Sequence, residues 1–94
     1  WIELGGEALQ VLETPGHTEG SVCLYLAVEH KLFAGDTLFA GSIGRTDLPG
    51  GSTEALLRSL HEVVLALPDA TLVIPGHGPA TTVGRERATN PFLR

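Results

Sequence analysis

This 94-residue sequence predicts an α/β domain in which strands and helices pack in layers, in the order β-β-β-β-α-β-α. Three observations carry that expectation. Short apolar runs rich in strand formers, such as Val22-Cys23-Leu24-Tyr25-Leu26-Ala27-Val28 and Leu72-Val73-Ile74, are punctuated by glycine and proline. One longer stretch instead carries apolar residues at 56, 57, 60, 63, 64 and 67, one face of an amphipathic helix. No linker or low-complexity segment interrupts the series, so the chain is one structural unit.

Taken in order, Trp1 to Leu4, a Gly5-Gly6 turn and Ala8 to Leu12 form a hairpin of two strands. Val22 to Val28 is too short for a helix and unbroken in its apolar character, which predicts a strand buried on both faces. Glu29-His30-Lys31 turns the chain into a fourth strand, Lys31 to Ala34, ending at Gly35-Asp36. Four glycines and a proline between Gly41 and Gly51 mark a loop. Ser52 then stands where an N-cap belongs, Glu54 suits the dipole of the first turn, and Pro68 stops the helix. Leu72-Val73-Ile74 is a buried strand leading into Pro75-Gly76-His77, and a last helix covers Val83 to Thr89, halted by Asn90-Pro91.

Composition excludes several classes of function. Eleven acidic residues face six basic ones, a formal charge of −5, and Lys31 is the single lysine, so no basic stripe exists to track nucleic-acid phosphates. No run approaches the roughly 18–20 apolar residues that span a bilayer, so no membrane partner is expected. One cysteine makes no internal disulfide, which points to the reducing cytoplasm. The sequence has no methionine and opens on Trp1, as expected for a piece of a longer protein.

The chemistry concentrates on three turns. Thr14-Pro15-Gly16-His17 and Ile74-Pro75-Gly76-His77 nearly repeat, each after an apolar strand, and Ala34-Gly35-Asp36 lies between them. Proline ends the pairing and glycine permits the sharp turn, so each motif presents its histidine or carboxylate at a strand's C-terminal end. Ligands of layered α/β proteins collect there. Two imidazoles and a carboxylate suit a divalent metal, although each motif taken alone is an ordinary turn. The glycine-rich Gly41-Ser42-Ile43-Gly44-Arg45-Thr46 lacks both the spacing and the lysine of a phosphate-binding P-loop.

Thr14 to Ser21 (TPGHTEGS), Phe33 to Phe39 (FAGDTLF) and Ile74 to Pro79 (IPGHGP) together resemble the metallo-β-lactamase superfamily. Gly41 to Gly51 (GSIGRTDLPGG) and Thr82 to Leu93 (TVGRERATNPFL) are similar to its glyoxalase II-like hydrolases, and the similarity covers nearly the whole chain in the family's order. The resemblance implies the C-terminal half of a four-layer αββα sandwich. It makes His17 the third histidine of a first metal site, Asp36 the carboxylate bridging two metals, and His77 the histidine completing the second. The implied cofactor is zinc, two ions per complete domain, with iron or manganese as alternatives. The implied reaction is hydrolysis of a thioester such as S-lactoylglutathione, a glutathione conjugate, by water activated on the metals.

The sequence departs from the family pattern in one major respect. The H-x-H-x-D-H signature, which supplies four further ligands and the acid that handles the water's proton, is absent. Residues 1–94 therefore read as a partial domain, without the family's N-terminal half and without the helical domain that binds glutathione. Each metal keeps one histidine and a shared carboxylate, so binding is expected to be weak and no residue here stands as general base. The sheet face that meets the other half is left uncovered, which predicts self-association or binding to that half.

Other residues have plainer expectations. Arg45 and Asp47 border the site in the relatives, either touching substrate or pinning their loop by a salt bridge. Thr18 and Thr37 follow ligand-type residues and either orient them or cap the turns. His30 is a solvated turn residue, His61 a boundary residue of the helix, and Cys23 a small core hydrophobe. Two other functions compete with the thioesterase: an iron-dependent persulfide dioxygenase, whose members share a Gly-Arg-Thr-Asp loop, and a non-catalytic association or folding module.

Overall fold

The computed structural model describes residues 2–4, 7–47 and 49–93. Ile2–Leu4 (β1) and Glu7–Glu13 (β2) pair antiparallel, with Ile2 opposite Leu9. Trp1 and the Gly5-Gly6 turn of this expected hairpin lie outside the described residues. Val22–Leu26 (β3) runs antiparallel to both β2 and Lys31–Gly35 (β4). Leu38–Phe39 (β5) and Ser42–Ile43 (β6) form a separate small ribbon, and Thr53–Ser59 is helix α1. Leu72–Pro75 (β7) then pairs parallel with β4, Thr81–Thr82 (β8) closes the sheet, and Val83–Thr89 is helix α2. The six-stranded sheet has the order β1-β2-β3-β4-β7-β8.

The expected order of major elements is therefore found, with three short strands added. β5, β6 and β8 have two residues each. Segments that short carry no readable alternation, so the stretch expected as a plain loop from Gly41 conceals β6.

Cross-strand register separates the two faces of the sheet. Cys23, Leu32, Ala34 and Val73 project into the core, where Leu56, Leu60, Val64 and Val83 from the helical segments and Leu93 beyond α2 meet them. Val11, Leu24, Phe33 and Ile74 line up in register across β2, β3, β4 and β7 on the opposite face. Val11 and Phe33 are each 38% exposed there. The expectation that Val22–Val28 is a strand buried on both faces is thus corrected. The strand stops at Leu26 because Ala27–Glu29 tighten into a 3-10 turn, and His30 takes a left-handed conformation with φ of 54°. Val22 and Val28 are exposed, since the helices contribute to the core on the other face.

The central helix also differs from a uniform α-helix. Ser52 caps it as expected, accepting from the Ala55 amide at 3.2 Å. After Ser59 the chain widens into a π-helical turn, Leu60–Val64, with the Leu65 amide donating to the Leu60 carbonyl at 2.8 Å. A four-residue apolar spacing overshoots a 3.6-residue turn, and the wider turn takes up the overshoot. Leu56, Leu60 and Val64 consequently all reach zero exposure.

Replacing Leu60 by Ala removes fully buried apolar volume at this turn and is expected to cost about 2–5 kcal/mol. Val28→Ala, on the exposed 3-10 turn, is expected to change stability by less than about 0.5 kcal/mol. Urea unfolding of the two variants measures the contrast.

Candidate metal centre

β2, β4 and β7 point the same way, because β2 and β4 each run antiparallel to β3 while β7 is parallel to β4. Their C-terminal ends therefore share one edge of the sheet, and the turns bearing His17, Asp36 and His77 follow directly. Close backbone approaches hold these turns. The Gly76 amide donates to the Gly35 carbonyl at 2.8 Å, and a Cβ on Gly76 would lie 3.3 Å from Asp36 Oδ1. Gly16, with φ of 142°, sits against α1 so tightly that a Cβ would meet Leu56 Cα at 2.3 Å. Ser52 and Ser59 of the helical segment complete this clamp, donating to the carbonyls of Gly16 at 2.7 Å and Pro15 at 2.8 Å.

The three ligand-type side chains converge. Asp36 lies between the imidazoles, with Oδ2 3.8 Å from His17 Nε2 and Oδ1 3.7 Å from His77 Nδ1. Each histidine faces a different oxygen, so the arrangement is two pairs sharing one carboxylate. Among the described residues no group of three or more His, Cys, Asp or Glu is arranged to hold a metal ion by itself.

The donor chemistry nonetheless fits a divalent cation. His17 Nδ1 lies 2.8 Å from the Arg45 carbonyl oxygen. A carbonyl only accepts, so Nδ1 carries a proton, and Nε2, which faces Asp36, is the nitrogen available to a metal. Ligands of a tetrahedral zinc with bonds near 2.0 Å stand about 3.3 Å apart, so closing either pair onto an ion takes a shift of about half an ångström. The residues thus form two His–Asp pairs whose nitrogen and oxygen atoms face one another across a shared carboxylate.

A cleft of about 520 Å³ opens over the pairs. Phe39, Ala40, Ile43 and Pro79 make an apolar wall, and the Phe39 ring stacks on His77 at a centroid distance of 4.7 Å. Arg45 also borders the cleft, but its guanidinium is engaged by Asp47 through two hydrogen bonds of 2.8 and 3.0 Å. The pair holds the Asp47 carboxyl below its usual range, chiefly by the hydrogen bond from Arg45, and raises the Arg45 pKa in return.

The two threonines point elsewhere. Thr18 bonds to the Ser21 hydroxyl with both its amide and its own hydroxyl, at 3.0 and 2.8 Å. Thr37 is buried and meets the Thr14 hydroxyl at 3.4 Å. His30 and His61 are exposed away from the cleft. Cys23 is fully buried, and desolvation pushes its thiol pKa up. Phe39 and the Arg45 carbonyl escaped the sequence reading. An aromatic three residues past the ligand-type aspartate was the available signal for the first, and a backbone carbonyl leaves none.

Residues 2–77 match the profile of the Metallo-beta-lactamase superfamily. The probable metallo-hydrolase YqgX of Bacillus subtilis is 51% identical over 92 residues, covering 98% of this chain and 44% of that protein. The hydroxyacylglutathione hydrolase GloC of Haemophilus influenzae is 42% identical over 92 residues, covering 98% of this chain and 43% of that protein. Among solved structures, the BLEG-1 B3 metallo-beta-lactamase superposes with a TM-score of 0.94 at 51% identity, over 98% of this chain and 44% of that one. The di-iron-bound form of TTHA1623 gives 0.89 at 51% identity, over 98% and 45%. ETHE1 from Myxococcus xanthus gives 0.90 at 39% identity, over 96% and 41%. The chain thus spans less than half the length of the relatives it matches.

Arg45→Ala is expected to leave His17 in place, because the histidine's partner is a backbone carbonyl, and to raise the Asp47 pKa toward the ordinary carboxylate range. A carboxylate with a lowered native pKa adds stability above its unfolded-state pKa and loses it as pH falls through the native value. Both side chains are well exposed, so that contribution is small. A carboxyl-carbon NMR titration of Asp47 in the two proteins reads the shift.

Proposed function

Because this chain belongs to the metallo-β-lactamase superfamily, we propose that the full-length protein containing it is a zinc-dependent thioester hydrolase of the glyoxalase II type. The carrying observation is the convergence of His17 and His77 on opposite oxygens of Asp36, under an apolar-walled cleft. Similarity to a hydroxyacylglutathione hydrolase supports a glutathione thioester, such as S-lactoylglutathione, as substrate.

His17 and Asp36 would hold one ion, and His77 and Asp36 a second. When bound, the metal polarises the substrate carbonyl and makes a water nucleophilic at neutral pH. The chain's own residues supply the setting. The Arg45 carbonyl keeps His17 in the tautomer that offers Nε2, and Asp36 balances positive charge from between the imidazoles. Phe39 fixes the ring of the more exposed His77. Phe39, Ala40, Ile43 and Pro79 exclude water from one side of the reacting thioester. The ionisable residues among those lining the cleft are His17, Asp36, His77 and Arg45. The proton acceptor for the water therefore comes from another part of the full-length protein, and the 94-residue chain alone does not turn over.

The persulfide dioxygenase reading rests on Gly44-Arg45-Thr46-Asp47 and on similarity to ETHE1 from Myxococcus xanthus. Oxygen uptake with a persulfide substrate separates it from thiol release. The proposed compartment is the cytoplasm, supported by the single buried cysteine. Among the described residues no helix is long and apolar enough to cross a membrane.

In the full-length protein, His17→Ala, Asp36→Asn and His77→Ala are each expected to lower thiol release from S-lactoylglutathione about 100-fold or more. Chelation should abolish release and zinc restore it; a rate indifferent to chelation overturns the proposal. Isolated as 94 residues, the chain is expected to pair with a second copy through the Val11–Leu24–Phe33–Ile74 face, and Phe33→Asp to return it to monomer in sedimentation velocity.

A further inference from the structure

The β5–β6 ribbon and the residues just beyond it touch all three ligand-type residues, two at the side chain and Asp36 at the backbone. Phe39, on the first arm, stacks on His77. Beyond the second arm, Gly44 donates its amide to the Thr37 carbonyl at 3.1 Å and packs so closely that a Cβ would lie 2.0 Å from the Asp36 carbonyl oxygen. The next residue, Arg45, supplies the carbonyl that orients His17. A ribbon of two residues per strand has too few hydrogen bonds to hold such a geometry unaided.

Its tip is held from α2. Glu86 Oε1 accepts from the Gly41 amide at 2.8 Å. Asn90 Nδ2 donates to the Ser42 carbonyl and to Glu86 Oε1, both at 3.0 Å. Thr81 donates its hydroxyl to Glu86 Oε2 at 2.8 Å, and Asn90 Oδ1 accepts from the Phe92 amide at 2.9 Å. Glu86 and Asn90 are 1% and 0% exposed, on the same helix face as the core residue Val83. Burying a carboxylate and an amide where apolar side chains would pack is costly unless every polar atom is answered. Here each is answered, and two of the partners belong to the ribbon.

We propose that Glu86 and Asn90 are positioning residues of the metal centre, which hold Gly41 and Ser42 and thereby set the placement of His17, Asp36 and His77. This rests on reading the cleft as a metal site. The pair touches neither metal nor substrate, and its influence passes through the ribbon to the imidazoles and the carboxylate.

Histidine-ring nitrogen NMR tests this in the full-length protein without metal, with His30 and His61 as internal references. Glu86→Ala and Asn90→Ala are expected to shift the His17 and His77 signals and to leave those of His30 and His61 in place, with Glu86→Gln giving a smaller shift. Zinc affinity, read by competition with a chelator, should fall roughly 10-fold in the Ala variants and less in the Gln variant. Unmoved His17 and His77 signals overturn the proposal, as does an equal shift of all four. Loss of folding in all three variants also overturns it, assigning the pair to stability alone. Shifts of His17 and His77 in a protein that releases no thiol leave the positioning role standing and remove the thioesterase reading.

Discussion

The hydrogen bond from the Gly76 amide to the Gly35 carbonyl closes the parallel pairing of β4 with β7 at the edge that carries Asp36 and His77. Parallel strands need a crossover between them, and α1 is part of that crossover. The crossover does more than return the chain. Its capping Ser52 and buried Ser59 grip the Pro15-Gly16 turn, so the connection that aligns Asp36 with His77 also presses His17 toward them. One topological requirement thus brings together turns 19 and 41 residues apart in sequence.

Close approach is the second constraint, and glycine makes it possible. At Gly16 and Gly44 a Cβ would fall within 2.3 Å of neighbouring backbone. Backbone packed this closely supplies rigid acceptors, and the Arg45 carbonyl that orients His17 is one of them. Charge is distributed on the same principle. Arg45 spends its guanidinium on Asp47, leaving its carbonyl for the imidazole. The two-layer character of the domain is equally one-sided: helices cover the Cys23–Leu32–Val73 face and leave the Phe33 row open.

Much of this was legible in the residues. The Pro-Gly-His repeats, the Gly35-Asp36 turn, the Ser52 cap and the ends of α2 depend on local rules of backbone conformation, and those rules operate over three or four residues. Burial was less legible. An unbroken apolar run from Val22 to Val28 satisfies a strand covered on both faces as well as one covered on a single face. The π-helical turn at Leu60 followed the same logic, since a helical apolar spacing is compatible with more than one turn width. Glu86 carried no local signal and Asn90 read only as part of the stop after α2, because their partners lie 45 and 48 residues away in the ribbon.

By itself, then, the sequence determined the class of elements, their order, and the ligand-type residues at strand ends, because each of these is written in local spacing and turn chemistry. Only the tertiary structure decided which oxygen of Asp36 meets which histidine, which face of the sheet stays open, and which carbonyl sets the His17 tautomer. Those outcomes depend on distances between segments remote in the chain, and such distances follow from packing and strand direction, not from the residues of any one segment.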